Sequence, residues 1–149
     1  MSKVELSNFE DTVNEIRDKI VPQIIRVDML PGFTRPSLTQ IEKHILKLSR
    51  NQPADDVTVI LFAYGLILGE TMIKTIEGSE WNYEAPSLEF LRIKLPISDA
   101  NGDSISSIPI KRVIGLFNSK DIKNKGIVSY YDQINKTFLE HKKDLVKKE

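Results

Sequence analysis

The sequence predicts an α+β domain: three N-terminal helices, a three-stranded antiparallel meander and two C-terminal helices. Three observations carry that prediction. Apolar residues recur at three- and four-residue steps up to about Glu77, the period changes to two at Ser79, and the helical period returns after Pro109. Helices and strands segregated along a chain suit a small sheet covered on one face by helices. At 149 residues the chain has the size of a single domain over 1–149, large enough to bury its own core.

The first helix places Phe9, Val13, Ile16, Ile20, Ile24 and Val27 on one face. Ser7 followed by Glu10 reads as a capping box at its start. Pro22 lacks an N–H and clashes with the preceding turn, so it should kink the helix or end it near Val21. Pro31-Gly32 and Pro36 mark 28–36 as a loop. A second helix is predicted over 38–50, burying Leu38, Ile41, Ile45 and Leu48, with Thr39/Glu42 or Ser37/Gln40 as its cap.

Pro53 suits the first turn of a third helix, and Asp55 and Asp56 sit at its positive end. That helix should reach about Glu77, with Gly78 as its stop. Between Val57 and Leu68 it is apolar nearly all round, so neighbours must cover most of its circumference. The stretch Val57–Gly69 is shorter than the roughly 18–20 residues of a bilayer span and reads as a buried helix. Ala63, Gly65 and Gly69 form a small-residue stripe. Glycine costs about 1 kcal/mol relative to alanine inside a helix, so something is expected to pack close there.

After Ser79, Trp81 and Tyr83 alternate with Glu80, Asn82 and Glu84. Leu91, Ile93 and Leu95 alternate with Arg92 and Lys94. This is the pattern of half-buried antiparallel strands. A short turn at Ala85-Pro86-Ser87 would set Glu80 opposite Arg92, with Trp81 and Leu91 on the core side. Asn101-Gly102 predicts a type I′ hairpin into a third strand over 104–108. Pro109 opens a short helix with Ile110, Val113, Ile114 and Phe117, ending near Asn118. A polar loop follows over 120–126. The last helix, over 127–147, buries Ile127, Tyr131, Ile134, Phe138 and Leu145.

Several functions are excluded by what is missing. Twenty-one basic and 21 acidic residues cancel, which argues against a chain whose main task is gripping nucleic acid or an anionic membrane. No cysteine is present, so disulfides, thiolate zinc sites, iron–sulfur clusters and cysteine nucleophiles are ruled out. Neither His44 nor His141 has a second ligand at metal spacing. Asp99, Asn101 and Asp103 open like a calcium loop, but Ser104 and Ile110 stand where glycine and a bidentate glutamate are required. There is no G-x-S-x-G elbow, phosphate loop or dinucleotide fingerprint. The expectation is a non-enzyme with no catalytic residues, no metal and no cofactor. Met1 to Leu6 carries Lys3 and Glu5 with no apolar stretch behind it, so a cytoplasmic location is expected.

Two groups of residues are candidates for binding. Glu70 follows the apolar run, where an unpaired charge is expensive. It is either an acid in a ligand cleft, with Trp81 and Tyr83 as further walls, or a carboxylate paired with Lys, Arg or a Trp/Tyr donor that ties the third helix to the hairpin. The paired arrangement is favoured, because no second acid or histidine is placed to share catalysis. The second group comes from uneven charge. Residues 111–148 hold ten basic and four acidic side chains, whereas 77–103 hold two and six. Lys111, Arg112, Lys120, Lys123 and Lys125 would build a basic surface for an acidic protein, and the same side chains with Lys136 would alternatively face a phosphate backbone. One arginine among ten cations, without interleaved aromatics, is a weak pattern for nucleic acid.

Gly65-Leu66-Ile67-Leu68-Gly69-Glu70, Trp81 opening a hairpin, Ile108-Pro109-Ile110 heading a short helix, and Tyr130-Tyr131 in the last helix together resemble small bacterial domains of unknown function. In these an "LGE" helix end precedes a Trp-bearing strand. The resemblance spans 57–138 and carries no catalytic residues. It implies an immunity or accessory role at a bacterial toxin or phage-defence locus. The sequence thus predicts a cytoplasmic protein-binding domain, and alternatively a small-ligand binder or enzyme with its pocket between the third helix and the sheet.

Overall fold

The first helix absorbs Pro22 instead of ending at it. In the computed structural model, which describes residues 6–147 apart from the side chains at 54, 55 and 143–147, the chain opens with β1 (Ser7–Asn8) and α1 (Glu10–Glu15). A π-helical turn (Ile16–Ile20) then leads into α2 (Val21–Val27). Val21 N donates to Ile16 O, five residues back, and Pro22 sits in the first turn of α2, where no N–H is missed. The wide turn also rotates α2 relative to α1. Val21 is buried at 2 % exposure, while Val27, expected on the buried face, is 76 % exposed. The predicted capping box does not form, because Ser7 is drawn into strand pairing with Ala85. Asn8 Oδ1 accepts from Glu10 N at 2.9 Å in its place.

α3 (Arg35–Asn51) begins earlier than expected, since Pro36 fits its first turn. Neither expected cap forms, because Ser37 and Thr39 lie inside the helix. Ser37 Oγ instead donates to Gly32 O, and Thr39 Oγ1 to Arg35 O, one turn back.

α4 (Ala54–Thr75) is the central helix and stops before Gly78, whose φ of +94° only glycine adopts freely. The small-residue stripe has the expected neighbours. A Cβ on Gly65 would lie 2.6 Å from Ile110 Cα, and one on Gly69 would lie 2.5 Å from the Trp81 ring. By length and composition alone, Asp56–Thr75 could cross a membrane, but 61 % of that window is buried inside the fold, as in a core helix.

The sheet has the order β2 (Glu80–Asn82), β4 (Arg92–Ser98), β5 (Ser104–Ser107), all antiparallel. The β2–β4 connection is longer than predicted. It contains β3 (Glu84–Ala85), which pairs with β1 in a separate two-stranded sheet, and a 3₁₀ turn (Leu88–Phe90). The register therefore moves by two residues: Glu80 faces Lys94 and Trp81 faces Ile93, in place of Glu80 with Arg92. A shift of two keeps every side chain on its predicted face. In β4 the residues Lys94–Ser98 oppose only Ser104–Ser106, and Pro96 sits in this bulged stretch, where a ladder N–H is dispensable.

The Asn101-Gly102 turn is not type I′. Only Gly102 has positive φ, and Asp99 accepts from Gly102 N through its carbonyl and from Asn101 N through its carboxylate. This is a three-residue loop closing on a left-handed glycine. The D-A-N-G-D motif thus builds a turn, with Asp99 Oδ1 also taking Asp103 N at 3.0 Å.

α5 (Pro109–Ser119) packs on α4 and ends at Lys120, left-handed at φ 58°. The predicted polar loop contains one helical turn, α6 (Ile122–Lys125), capped by the Asp121 side chain on Asn124 N. α7 (Ile127–Lys147) matches its predicted span. Ile127 and Tyr131 are buried, Ile134 and Phe138 half-buried, and the Leu145 side chain lies outside those described.

Candidate functional site

Glu70 and the two aromatic residues proposed with it form a tie between elements. Trp81 Nε1 donates to Glu70 Oε1 at 3.0 Å, and Arg17 Nε pairs with the same oxygen at 3.2 Å. Arg17 Nη2 also donates to Tyr83 OH at 3.4 Å. Burial opposes the Arg17 charge, but the Tyr83 hydrogen bond and the Glu70 carboxylate outweigh it and hold the guanidinium above its ordinary value. The favoured reading, a carboxylate joining α4 to the sheet, is what the fold contains. The cleft reading meets a filled space, because the Trp81 ring lies against Gly69. A hollow of about 360 Å³ does touch Trp81 and Tyr83 from the side of Asn8, Asn82 and Lys94, but Glu70 is not in its wall.

The basic candidates come together in part. Lys111, Arg112 and Lys125 line one open groove of about 480 Å³ between α5, α6 and the start of α7. Ser106, Tyr130 and Glu89 are among its other walls, Glu89 being its one carboxylate among the described residues. Lys120 and Lys123 are exposed but outside its walls.

Two of the three groove cations are held by aromatic rings. Lys111 Nζ stands 4.4 Å from the Phe90 ring centroid, and the Arg112 guanidinium stacks 4.1 Å over Tyr130. Tyr130 OH shares a 2.7 Å hydrogen bond with Ser107 Oγ, which fixes the ring. Arg112 Nη1 donates to Asn124 O at 3.4 Å. None of Lys111, Arg112 and Lys125 has a carboxylate within ion-pair distance among the described residues. Stacking orients a cation without neutralising it, so the groove keeps its positive field. The spacing of basic residues pointed to this face. The rings beneath them were not foreseen, because Phe90 comes from the 3₁₀ turn before β4.

A further polar cluster has no sequence signal. Tyr64 OH donates to Asp28 Oδ2 at 3.0 Å, and His44 Nδ1 lies 3.2 Å from the same oxygen. Burial, then the Asp28 charge and its hydrogen bond, push the Tyr64 phenol well above its ordinary value. His44, 37 % exposed, joins α3 to the end of α2. No group of three side chains suited to holding a metal ion occurs among the described residues. Compared with protein-family models, curated proteins and solved structures, the chain matches none.

Proposed function

We propose that this chain is a non-enzymatic, cytoplasmic protein-binding domain that docks an acidic partner on the face made by α5, α6 and α7. One observation carries the reading: Lys111, Arg112 and Lys125 line a single open groove against one carboxylate, Glu89. Cations with no ion-pair partner among the described residues raise the association rate of a complementary acidic surface and select against basic ones. The immunity or accessory role implied by the sequence resemblance fits such a domain, which acts by covering another protein.

The test is affinity capture from a bacterial host lysate, identification of the retained protein, and titration with that protein purified. Lys111→Glu with Lys125→Glu should weaken the complex at least tenfold, and its affinity should fall with added salt. Equal binding by the double variant, or retention of nucleic acid in place of a protein, would overturn the reading.

A further inference from the structure

β5 is an outer strand. Among the described residues it pairs with β4 on one side and with no strand on the other. Among the described residues, backbone groups of 104–107 make no hydrogen bond outside that ladder. The other outer strand, β2, is tied down at its end, where Phe9 N donates to Tyr83 O at 2.8 Å. β5 reads Ser-Ile-Ser-Ser and contains neither a charged residue nor a proline, the usual guards of an exposed edge.

Two hollows flank this edge. Ile105 lines one of about 360 Å³, whose other walls include Leu95, Ile97 and Ile134. Ser106, the next residue and on the opposite face, lines the basic groove. Arg112 and Tyr130 belong to both hollows. A strand laid along β5 would send alternate side chains to the two faces: one set to the apolar hollow, the other to Lys111 and Lys125.

We infer that the occupant of this face is an extended acidic segment of the partner protein, added antiparallel to β5 as a fourth strand, with carboxylates alternating with aliphatic side chains. This rests on the docking reading above and names its mode. Main-chain hydrogen bonds supply affinity in such additions, and the alternating side chains supply selection. A second copy of this chain is disfavoured as occupant, because pairing β5 with β5 would bring two sets of Lys111, Arg112 and Lys125 together.

The probe is a capped eight-residue peptide of alternating glutamate and valine, read by fluorescence anisotropy and by amide exchange. Two further peptides carry backbone N-methyl groups on the odd or on the even residues, and a fourth has the same composition with its glutamates in one block. The alternating peptide should bind at least tenfold more tightly than the block peptide. One N-methylated series should lose at least tenfold and the other should retain binding, since only one edge of an added strand faces β5. Exchange at 104–107 should slow, and Lys111→Glu with Lys125→Glu should remove the binding. Binding that both N-methylated peptides keep, without slowed exchange, overturns strand addition and leaves charge-driven docking standing. Absence of binding by every peptide at millimolar concentration overturns it too. So does concentration-dependent slowing at 104–107 without peptide, which would identify a second copy as the occupant.

Discussion

The indole N–H of Trp81 and the guanidinium of Arg17 meet on one oxygen of Glu70, at 3.0 and 3.2 Å. This joins the π-helical turn, the central helix and the first strand of the sheet at a point only 16 % exposed at Glu70. Deleting the carboxylate leaves the Trp81 indole N–H without its acceptor and the Arg17 guanidinium without its counter-charge, which costs about 1–3 kcal/mol. Glu70→Ala should therefore lower the urea midpoint clearly. Glu70→Gln, which still accepts from the indole, should lower it less. Neither should change partner affinity, because the tie is not in the basic groove. A loss of partner binding by folded Glu70→Gln would restore the cleft reading.

Three glycines in helices should respond differently to alanine. At Gly65 the new Cβ meets the Ile110 backbone, so α5 must move as a body. At Gly69 it meets the Trp81 ring at 2.5 Å. Overpacking costs about 1–3 kcal/mol, against about 1 kcal/mol gained in helix propensity. Gly65→Ala should be clearly destabilising, and Gly69→Ala should also shift the Trp81 fluorescence maximum. Gly115 has nothing within 4 Å of its would-be Cβ, so Gly115→Ala should stabilise by up to about 1 kcal/mol. Thermal melts of the three variants would check the order.

Much of this was legible in the chain. The small-residue stripe announced the close approaches of Ile110 and Trp81, because glycine in a helix is otherwise a loss. The period change at Ser79 located the sheet, and the run of basic residues located the groove. The features that stayed hidden depend on contacts between distant residues. Ser7 looks like a helix cap until Ala85 arrives to pair with it. Pro22 forces a local adjustment, but the sequence does not say that a π turn will supply it. The Asp28–His44–Tyr64 cluster joins three elements that no spacing links.

Arg35 holds Asp132 through two parallel hydrogen bonds, Nε to Oδ1 at 2.9 Å and Nη2 to Oδ2 at 2.8 Å, fastening the start of α3 to α7. These bonds keep the Asp132 carboxyl below the usual carboxylate range, against slight burial. With a folded pKa below the unfolded one, the contribution to stability is present above the unfolded value, roughly 3.9. It is lost as pH falls through the folded value. Asp132→Asn should thus be less stable than the parent near neutrality, and the two should converge in acid. A gap in urea midpoints that stayed constant down to the lowest folded pH would contradict this assignment. The pair is solvent-exposed, so the effect should be small and reduced by salt.

Tyr64 provides the alkaline counterpart. Its phenol is only 4 % exposed at the residue level, donates to Asp28, and is pushed up by burial and by that neighbouring carboxylate. The unfolded chain therefore loses the phenolic proton first as pH rises past about 10. The stability contributed by the neutral phenol is complete below that pH and declines above it. In a spectrophotometric titration Tyr64 should fail to ionise until the protein unfolds, and Tyr64→Phe should remove that delayed step. Losing the hydroxyl also leaves Asp28 with His44 as its remaining close partner, so Tyr64→Phe should cost about 1 kcal/mol at neutral pH. If the late-ionising tyrosine persisted in Tyr64→Phe, the buried hydrogen bond to Asp28 would not be its source.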